Sequence, residues 1–236
     1  RPNRYEPLLH IAMSKEYSEV AWALVKKMYA YKSPELGVAF EGKTALMGAA
    51  EHGDMKVITA LLKAGVDLDA QDNLQRTALW LAVANNQTQA VNALIDAGAN
   101  VALMDVDDYT PLSYAAKMGF SDIFKAILAG DGQVDNPNKQ GNTPLMLAAQ
   151  SGFDEIVQLL LERNVDIDAR NNLTLTALML AAQSGHLSTL KFLLDAGAEP
   201  KRRNRDGKSA AALAQEEGHT LAVKYLQNYK RARSFF

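Results

Sequence analysis

Apolar residues recur along this chain in short blocks, and their spacing predicts helices rather than strands. From Thr44 onward, each first block opens with Thr or Ser and continues through small and apolar residues. A second block follows, with apolar positions three or four residues apart. That spacing places the apolar side chains on one face of an α-helix. Second blocks include Val57, Ile58, Leu61 and Leu62, then Val91, Leu94 and Ile95, and then Ile156, Val157, Leu160 and Leu161.

The paired blocks repeat with a constant period. Their first residues are Thr44, Thr77, Thr110, Thr143, Thr176 and Ser209, so every interval is 33 residues, and an earlier copy, Pro7-Leu-Leu-His-Ile-Ala12, precedes the second by 37. Self-similarity at a fixed period of this length is typical of repeat architectures. The sequence therefore predicts seven units, starting near residues 2, 39, 72, 105, 138, 171 and 204, in a single domain over 1–236. The first and last units are expected to act as caps.

Polar and glycine positions mark the ends of both predicted helices. The Thr hydroxyl can accept a hydrogen bond from a free backbone N–H, and Pro111 and Pro144 take the first helical position, where no donor is needed. A turn between the helices is expected at Gly53, Gly119, Gly152, Gly185 and Gly218. The end of the second helix is expected where residues that tolerate left-handed backbone recur, at Gly65, Gly98, Asp131, Asn164 and Gly197.

A 33-residue unit with the motif Thr-Pro-Leu-x-x-Ala resembles the ankyrin repeat. The copy that fits best is Thr143-Pro-Leu-Met-Leu-Ala-Ala149, followed by Gly152 and Leu159-Leu-Leu161, and the resemblance covers about residues 5–230. It implies an all-α solenoid of stacked antiparallel helix pairs, with short hairpin-like loop fingers and a concave face.

Three departures from the family pattern concern local loop geometry rather than the fold. The motif His survives only as His10, and the first unit has four extra residues, placed within 32–40. The loop glycine before the Thr is kept at Gly42, Gly141 and Gly207 and replaced by Gln75, Asp108 and Thr174.

The resemblance also implies where a partner would touch the chain. In ankyrin-repeat proteins, contacts come mainly from the residues four, three and one before the Thr and seven and eight after it. The expected partner-binding residues are Phe40, Glu41, Lys43, Leu74, Arg76, Trp80, Asn85, Val106, Asp107, Tyr109, Lys117, Met118, Gln140, Asn142, Leu173 and Leu175.

Several of these positions are apolar where water is the expected neighbour, and contiguous exposed apolar residues mark interaction sites. They are Phe40, Leu74, Val106, Tyr109, Met118, Leu173 and Leu175. Trp80 has two interpretations, an aromatic anchor for the partner or a core residue packed between adjacent repeats. For Met47, Met146 and Met179, in the same register, packing is expected.

Composition argues against several kinds of chemistry. The chain has no cysteine, which excludes disulfides and thiolate catalysis, and we predict no cofactor and no metal site. His186 and His219 lie one repeat apart, too far to share a metal ion, and a structural role in the turn is expected. The segment 105–108 resembles the start of a calcium loop, but the downstream Gly and Glu ligands are missing, which favours a solvated acidic finger. No apolar run approaches the roughly 18 residues of a membrane helix, so no membrane insertion is expected.

Charge is unevenly distributed along the chain. The net charge is -2 overall, but residues 1–200 carry 16 Lys and Arg against 24 Asp and Glu, and residues 201–236 carry 9 against 3. The carboxylate side chains of Asp105, Asp107 and Asp108 favour a partner with some basic character. The basic cluster could bind phosphates or an acidic partner, but a solvated charge run is the favoured interpretation, and nucleic acid is disfavoured because no aromatic residues are interleaved. This cluster comprises Lys201, Arg202, Arg203, Arg205 and Lys208.

These observations predict a monomeric, non-catalytic scaffold for protein–protein interaction. A regulatory ankyrin domain excised from a larger enzyme or channel is the alternative, since the chain opens with Arg1 rather than Met. A free-standing enzyme is rejected because no catalytic constellation occurs. A chain without thiols suits reducing and oxidising compartments equally, so the cytoplasm, slightly favoured, and an exported compartment both stay open.

Overall fold

The computed structural model describes residue 12 and residues 17–30, 42–130 and 133–232, and these residues form thirteen α-helices. In chain order the helices are α1 (Ser18–Ala30), α2 (Ala45–His52), α3 (Met55–Ala64), α4 (Ala78–Ala84), α5 (Thr88–Asp96), α6 (Pro111–Met118), α7 (Ser121–Ala129), α8 (Pro144–Ser151), α9 (Asp154–Leu161), α10 (Ala177–Ser184), α11 (Leu187–Asp195), α12 (Ala210–Glu216) and α13 (Thr220–Ala232). An all-α repeat fold is confirmed. His10 and the first unit's insertion lie outside the described residues.

Residue contacts group the chain into two compact units, residues 1–111 with 125–132 and residues 112–124 with 133–236. In the first unit, α2 packs on α4, the first helices of their pairs, while α1 packs on α3 and α3 on α5. In the second unit, α8, α10 and α12 form a row of first helices, and α9, α11 and α13 form a row of second helices. A single domain over 1–236 stays a prediction.

The predicted helix caps are confirmed at five positions. Thr44, Thr77, Thr143, Thr176 and Ser209 have extended backbone, and each side-chain oxygen accepts a hydrogen bond from the backbone N–H three residues later, at 3.1 to 3.4 Å. Helices α6 and α8 begin at Pro111 and Pro144, as expected. These caps satisfy donors that a helix leaves unpaired at its first turn.

Alanine, leucine and methionine fill the space between neighbouring first helices. Ala49, Ala82 and Ala148 are completely buried, because the absence of a long side chain lets adjacent helices approach closely. Met47, Met146 and Met179 are each 1% exposed, which confirms their expected packing role. The core of each helix pair is therefore shared with its neighbours.

The turn between the two helices of a pair is covered by the next pair. Gly152 has φ 75°, and a Cβ added there would lie 2.6 Å from Nδ1 of His186; Gly185 stands in the same relation to His219, at 2.5 Å. The two rings lie against main chain that no side chain could share. The expected structural role of these histidines in the turns is confirmed.

The loop fingers keep a left-handed residue two positions before the capping Thr or Ser whether or not that residue is glycine. Gln75, Asp108 and Thr174 have φ of 59°, 61° and 60°, against 77° and 75° at Gly141 and Gly207. Left-handed backbone is unfavourable for a residue with a Cβ, and most of all for a β-branched one. The departures from the family pattern therefore leave the turn in place and add strain to it.

Backbone strain alone is expected to limit substitution at Gly98. Its φ is 91°, and a Cβ added there would meet no atom within 4 Å. We expect Gly98→Val to lower the free energy of unfolding by about 1–2 kcal/mol, measured by urea denaturation. Asn164 has φ 54°, so Asn164→Gly is the matched control and should be neutral or slightly stabilising. Strong destabilisation by Asn164→Gly would contradict the assignment of this position as a helix cap.

Relief of strain is expected at Thr174. This β-branched residue is left-handed, and its hydroxyl oxygen is buried with no hydrogen-bond partner. Thr174→Gly should raise the free energy of unfolding by about 1–2 kcal/mol, because it removes both penalties. The reverse change, Gly207→Thr, should lower it by a similar amount, since a Cβ at Gly207 meets no atom within 4 Å and only the backbone is strained. If both variants raised the free energy of unfolding, or both lowered it, this explanation would be refuted.

Candidate partner-binding surface

Each described finger is built around one buried Asp or Asn that lies five residues before the capping Thr or Ser. Its Oδ1 accepts two hydrogen bonds, from the backbone N–H groups two and four residues later, at 2.8 to 3.1 Å. We name this residue the finger anchor. The five finger anchors, 4% to 9% exposed, are Asp72, Asp105, Asn138, Asn171 and Asn204.

Two pairs of successive fingers are joined through their main chains. In the first unit the Val106 N–H donates to the Leu74 carbonyl at 3.0 Å, and in the second the Asn172 N–H donates to the Gln140 carbonyl at 3.0 Å. A further link connects the bases of the fingers, where Asp69 accepts from the Asn100 N–H at 2.8 Å. These four fingers are therefore held both by their own anchors and by a neighbouring finger.

A polar network fixes the finger at 72–76. Oδ2 of Asp72 accepts from Nε and Nη2 of Arg76 at 2.9 and 2.7 Å, and the guanidinium carbon lies 5.6 Å from the centre of the Trp80 ring. Nε1 of Trp80 donates to the Tyr109 carbonyl at 3.2 Å. Burial alone would raise the pKa of Asp72, but the hydrogen bonds from Arg76 and from the Leu74 N–H outweigh it and hold the pKa below its usual range.

The expected partner-binding residues differ in exposure. Exposed residues are Leu74, Asn85, Asp107, Lys117, Met118, Gln140 and Leu173. Half-buried residues are Lys43, Arg76, Val106, Tyr109 and Asn142. Phe40 and Glu41 lie outside the described residues. The large exposed apolar side chains of this set are Leu74, Met118 and Leu173, at 48%, 41% and 56%.

Three residues expected at this surface are buried. Trp80 is only 6% exposed and packs in the core, so of its two interpretations the packing role applies. Leu175 is 9% exposed, because the position before the capping Thr is half-covered in the other copies and a leucine has no polar end to reach water. Asp105 is a buried finger anchor, so the exposed acid of its finger is Asp107, and Asp108 is half-buried.

Several polar residues at finger and helix ends are paired within the chain. Lys43 forms an ion pair with Glu51 at 2.8 Å, between the positions one before and seven after the capping Thr. Lys208 and Glu216 repeat this pair at 2.8 Å. Nδ2 of Asn85 donates to the Leu81 carbonyl at 2.9 Å. A partner that contacts these groups would compete with existing interactions.

The finger anchors escaped the sequence analysis, although their signal is present. Asp or Asn stands five residues before the capping Thr or Ser in every 33-residue repeat from the third onward, at least as regularly as glycine recurs in the turns between helices. An Asx side chain can bond to nearby backbone N–H groups and so stabilise a turn. In the sequence Asp105 resembles its acidic neighbour Asp107, and only its position five residues before Thr110 distinguishes it as an anchor.

The described residues offer neither a metal site nor a membrane-spanning helix. No group of three or more His, Cys, Asp and Glu residues there is arranged to hold a metal ion. Oδ1 of Asp105, the first residue of the calcium-like segment, accepts from the backbone N–H groups of Asp107 and Tyr109. No helix in this part of the chain combines the length and apolar character needed to cross a bilayer.

Asp72 should make stability depend on pH. Because its folded pKa is lowered, its contribution is present above the unfolded pKa of about 4 and is lost as pH falls through the folded value. Asp72→Asn keeps the Oδ1 acceptor found in three other fingers and loses the ion pair, at a cost of about 1 kcal/mol at pH 7. Asp72→Ala loses both, at about 2–3 kcal/mol. Urea unfolding at pH 7 and in acid tests this, and an Asn variant as destabilised as the Ala variant would contradict it.

Comparison with known families agrees with this architecture. A profile described as ankyrin repeats matches the chain in three copies, over residues 9–105, 97–171 and 165–234, whereas comparison with curated proteins gives no match. The matched segments together span most of the chain, and ankyrin repeats are generally protein–protein interaction modules. The number of repeats, seven, stays a prediction. The family predicted from the sequence is confirmed: the chain belongs to the ankyrin-repeat family.

Proposed function

We propose that this chain is a non-catalytic scaffold, acting as a monomer, that binds a partner protein through its loop fingers and the ends of its first helices. The observation that supports this most is Leu74, whose side chain is 48% exposed at the tip of a finger held rigid by Asp72. A finger whose main chain is fixed in this way loses little backbone entropy when a partner covers the leucine. Ankyrin-repeat proteins are typically non-catalytic, which agrees with a binding role.

The chemistry next to Leu74 supports a partner with basic character. The Leu74 main chain is hydrogen-bonded to Val106, which is followed by Asp107 and Asp108. Within the described residues, neither carboxylate has an ion-pair partner. We infer that the partner places an apolar side chain on Leu74 and Lys or Arg beside the two aspartates. A regulatory ankyrin domain of a larger enzyme or channel stays the alternative hypothesis.

A leucine-to-glutamate pair of variants tests the proposed surface. Leu74→Glu should abolish capture of the partner from a native lysate, because it places a charge where the apolar contact forms. Leu221, 67% exposed on α13, provides the control, and Leu221→Glu should leave capture unchanged. Circular dichroism and urea unfolding verify equal folding of the variants. Loss of the partner by both variants, or by neither, would overturn the proposal.

Association kinetics with the captured partner test its charge. Asp107→Lys should slow association more than it speeds dissociation, because an exposed charge at the rim of an interface acts mainly by steering the encounter. The on-rate of the unmodified chain should also fall as salt is added, since salt screens exposed charges. An on-rate unchanged by Asp107→Lys, measured by surface plasmon resonance, would contradict a basic partner at this finger.

A further inference from the structure

Two adjacent segments of the second unit, 170–175 and 203–208, surround one exposed leucine with arginine side chains; we name them the basic finger pair. Leu173 is 56% exposed. The carbonyl of Asn172, the residue before it, accepts a hydrogen bond from Nη2 of Arg205. The carbonyl of Thr174, the residue after it, accepts one from Nε of Arg170 at 3.3 Å. The residues on both sides of the exposed leucine therefore each accept a hydrogen bond from a guanidinium group.

These guanidinium groups are bound by neutral oxygens and keep their charge. Arg170 also donates to the Arg203 carbonyl at 3.0 Å, and Arg203 donates to the Gly207 carbonyl at 2.6 Å. All three arginines are exposed, and each guanidinium has further N–H donors. A planar guanidinium with free donors is suited to binding a carboxylate through two parallel hydrogen bonds.

The other charges of this region are partly neutralised. Arg202 forms an ion pair with Asp168 at 3.3 Å, and Lys208 forms one with Glu216 at 2.8 Å. The exposed Asp206 adds one carboxylate to the same finger. Lys201 lies beside a second carboxylate, since Oε1 of Glu199 accepts from its backbone N–H at 2.9 Å. Arg170, Arg203 and Arg205 are left against Asp206, so the basic finger pair is positive beside Leu173.

Equivalent fingers show that the fold does not require these charges. Gln71 stands in the first unit at the position of Arg170, and its Nε2 makes the same pair of contacts, to the Gln75 carbonyl at 2.7 Å and the Met104 carbonyl at 3.4 Å. Asn172 precedes Arg205 by one repeat and makes the equivalent contact, to the Lys139 carbonyl at 2.8 Å. Neutral amides fill both structural roles, so the arginines add only charge, which a purely structural role leaves unexplained.

We propose that the basic finger pair binds an acidic protein segment that places an apolar side chain on Leu173 and carboxylates on Arg170 and Arg205. This rests on the proposed function, since it assigns partner chemistry to the fingers of the second unit. A protein segment fits better than nucleic acid because the two segments contain no aromatic residue for base stacking and expose a leucine at their centre. Of the two interpretations of the basic cluster, this proposal takes the acidic partner for Arg205.

Selection of random displayed peptides on the immobilised full chain tests the proposal. One group of recovered peptides should be acidic, with a leucine or phenylalanine among the acidic residues. Its binding, measured by fluorescence polarisation, should weaken about tenfold for Arg170→Gln and again for Arg205→Asn. Each of these variants copies the neutral residue found at the equivalent position, so the finger contacts are kept. Leu173→Gln, which copies Gln140, should weaken it as well.

Matched controls separate this surface from the rest of the chain. Arg163→Gln removes an exposed arginine of the same unit outside the fingers and should leave acidic peptides bound. Leu74→Glu should also leave them bound while abolishing any basic, apolar peptides recovered in the same selection. Failure of the acidic group alone would overturn this proposal and leave the proposed function standing. If only the basic, apolar peptides failed to be recovered, the proposed Leu74 surface would be overturned and the basic finger pair would stand.

Three other results would overturn the assigned partner. The first is recovery of no acidic peptides, or of acidic peptides that bind the Arg170→Gln, Arg205→Asn double variant as tightly as the unmodified chain. The second is binding of a single-stranded oligonucleotide through these arginines in preference to the peptides. The third is self-association of the chain, seen by sedimentation and lost in the double variant, which would make a second copy the occupant.

Discussion

Every described finger depends on a single acceptor oxygen, the Oδ1 of its anchor. A tight turn exposes backbone N–H groups that no regular ladder can pair, and an unpaired N–H beneath a neighbouring repeat would be costly. Asp72 and Asn171 illustrate the solution, since each accepts two such N–H groups through Oδ1 although one is a carboxylate and the other an amide. The fingertip, the contact with the next finger and the start of the first helix all follow from that position.

The sequence predicted the parts of the fold that rest on residues with few conformational options. Thr143 with Pro144 defines a helix start, and Gly98 defines the end of a second helix, because few residue types tolerate those backbones or supply those caps. The period then predicted how such units stack. The exposure of single side chains was harder to predict, because it depends on neighbouring repeats. Leu173 and Leu175 differ by two positions in one finger, yet the first is exposed and the second is buried.

Charge in the fingers was equally hard to interpret from the sequence. Asp105 and Asp107 look alike in the acidic segment. The carboxylate of Asp105 accepts hydrogen bonds from backbone N–H groups of its finger, whereas Asp107 is exposed to solvent. Among the basic residues, Arg202 is paired with a carboxylate whereas Arg205 donates to a neutral carbonyl. Only the partner of each charged group shows whether its charge remains available for binding.

Since the Oδ1 of each anchor accepts from main-chain N–H groups, the turn does not depend on which side chains stand at the fingertip. Selection can then alter recognition without altering the scaffold, and the two properties can evolve separately. Gln75 and Thr174 occupy a left-handed position that glycine would fill at lower energy, so stability alone does not account for the residues found there. A family of such chains would diverge first at its fingertips while its helices stayed alike, and the tips of one chain could be grafted onto another.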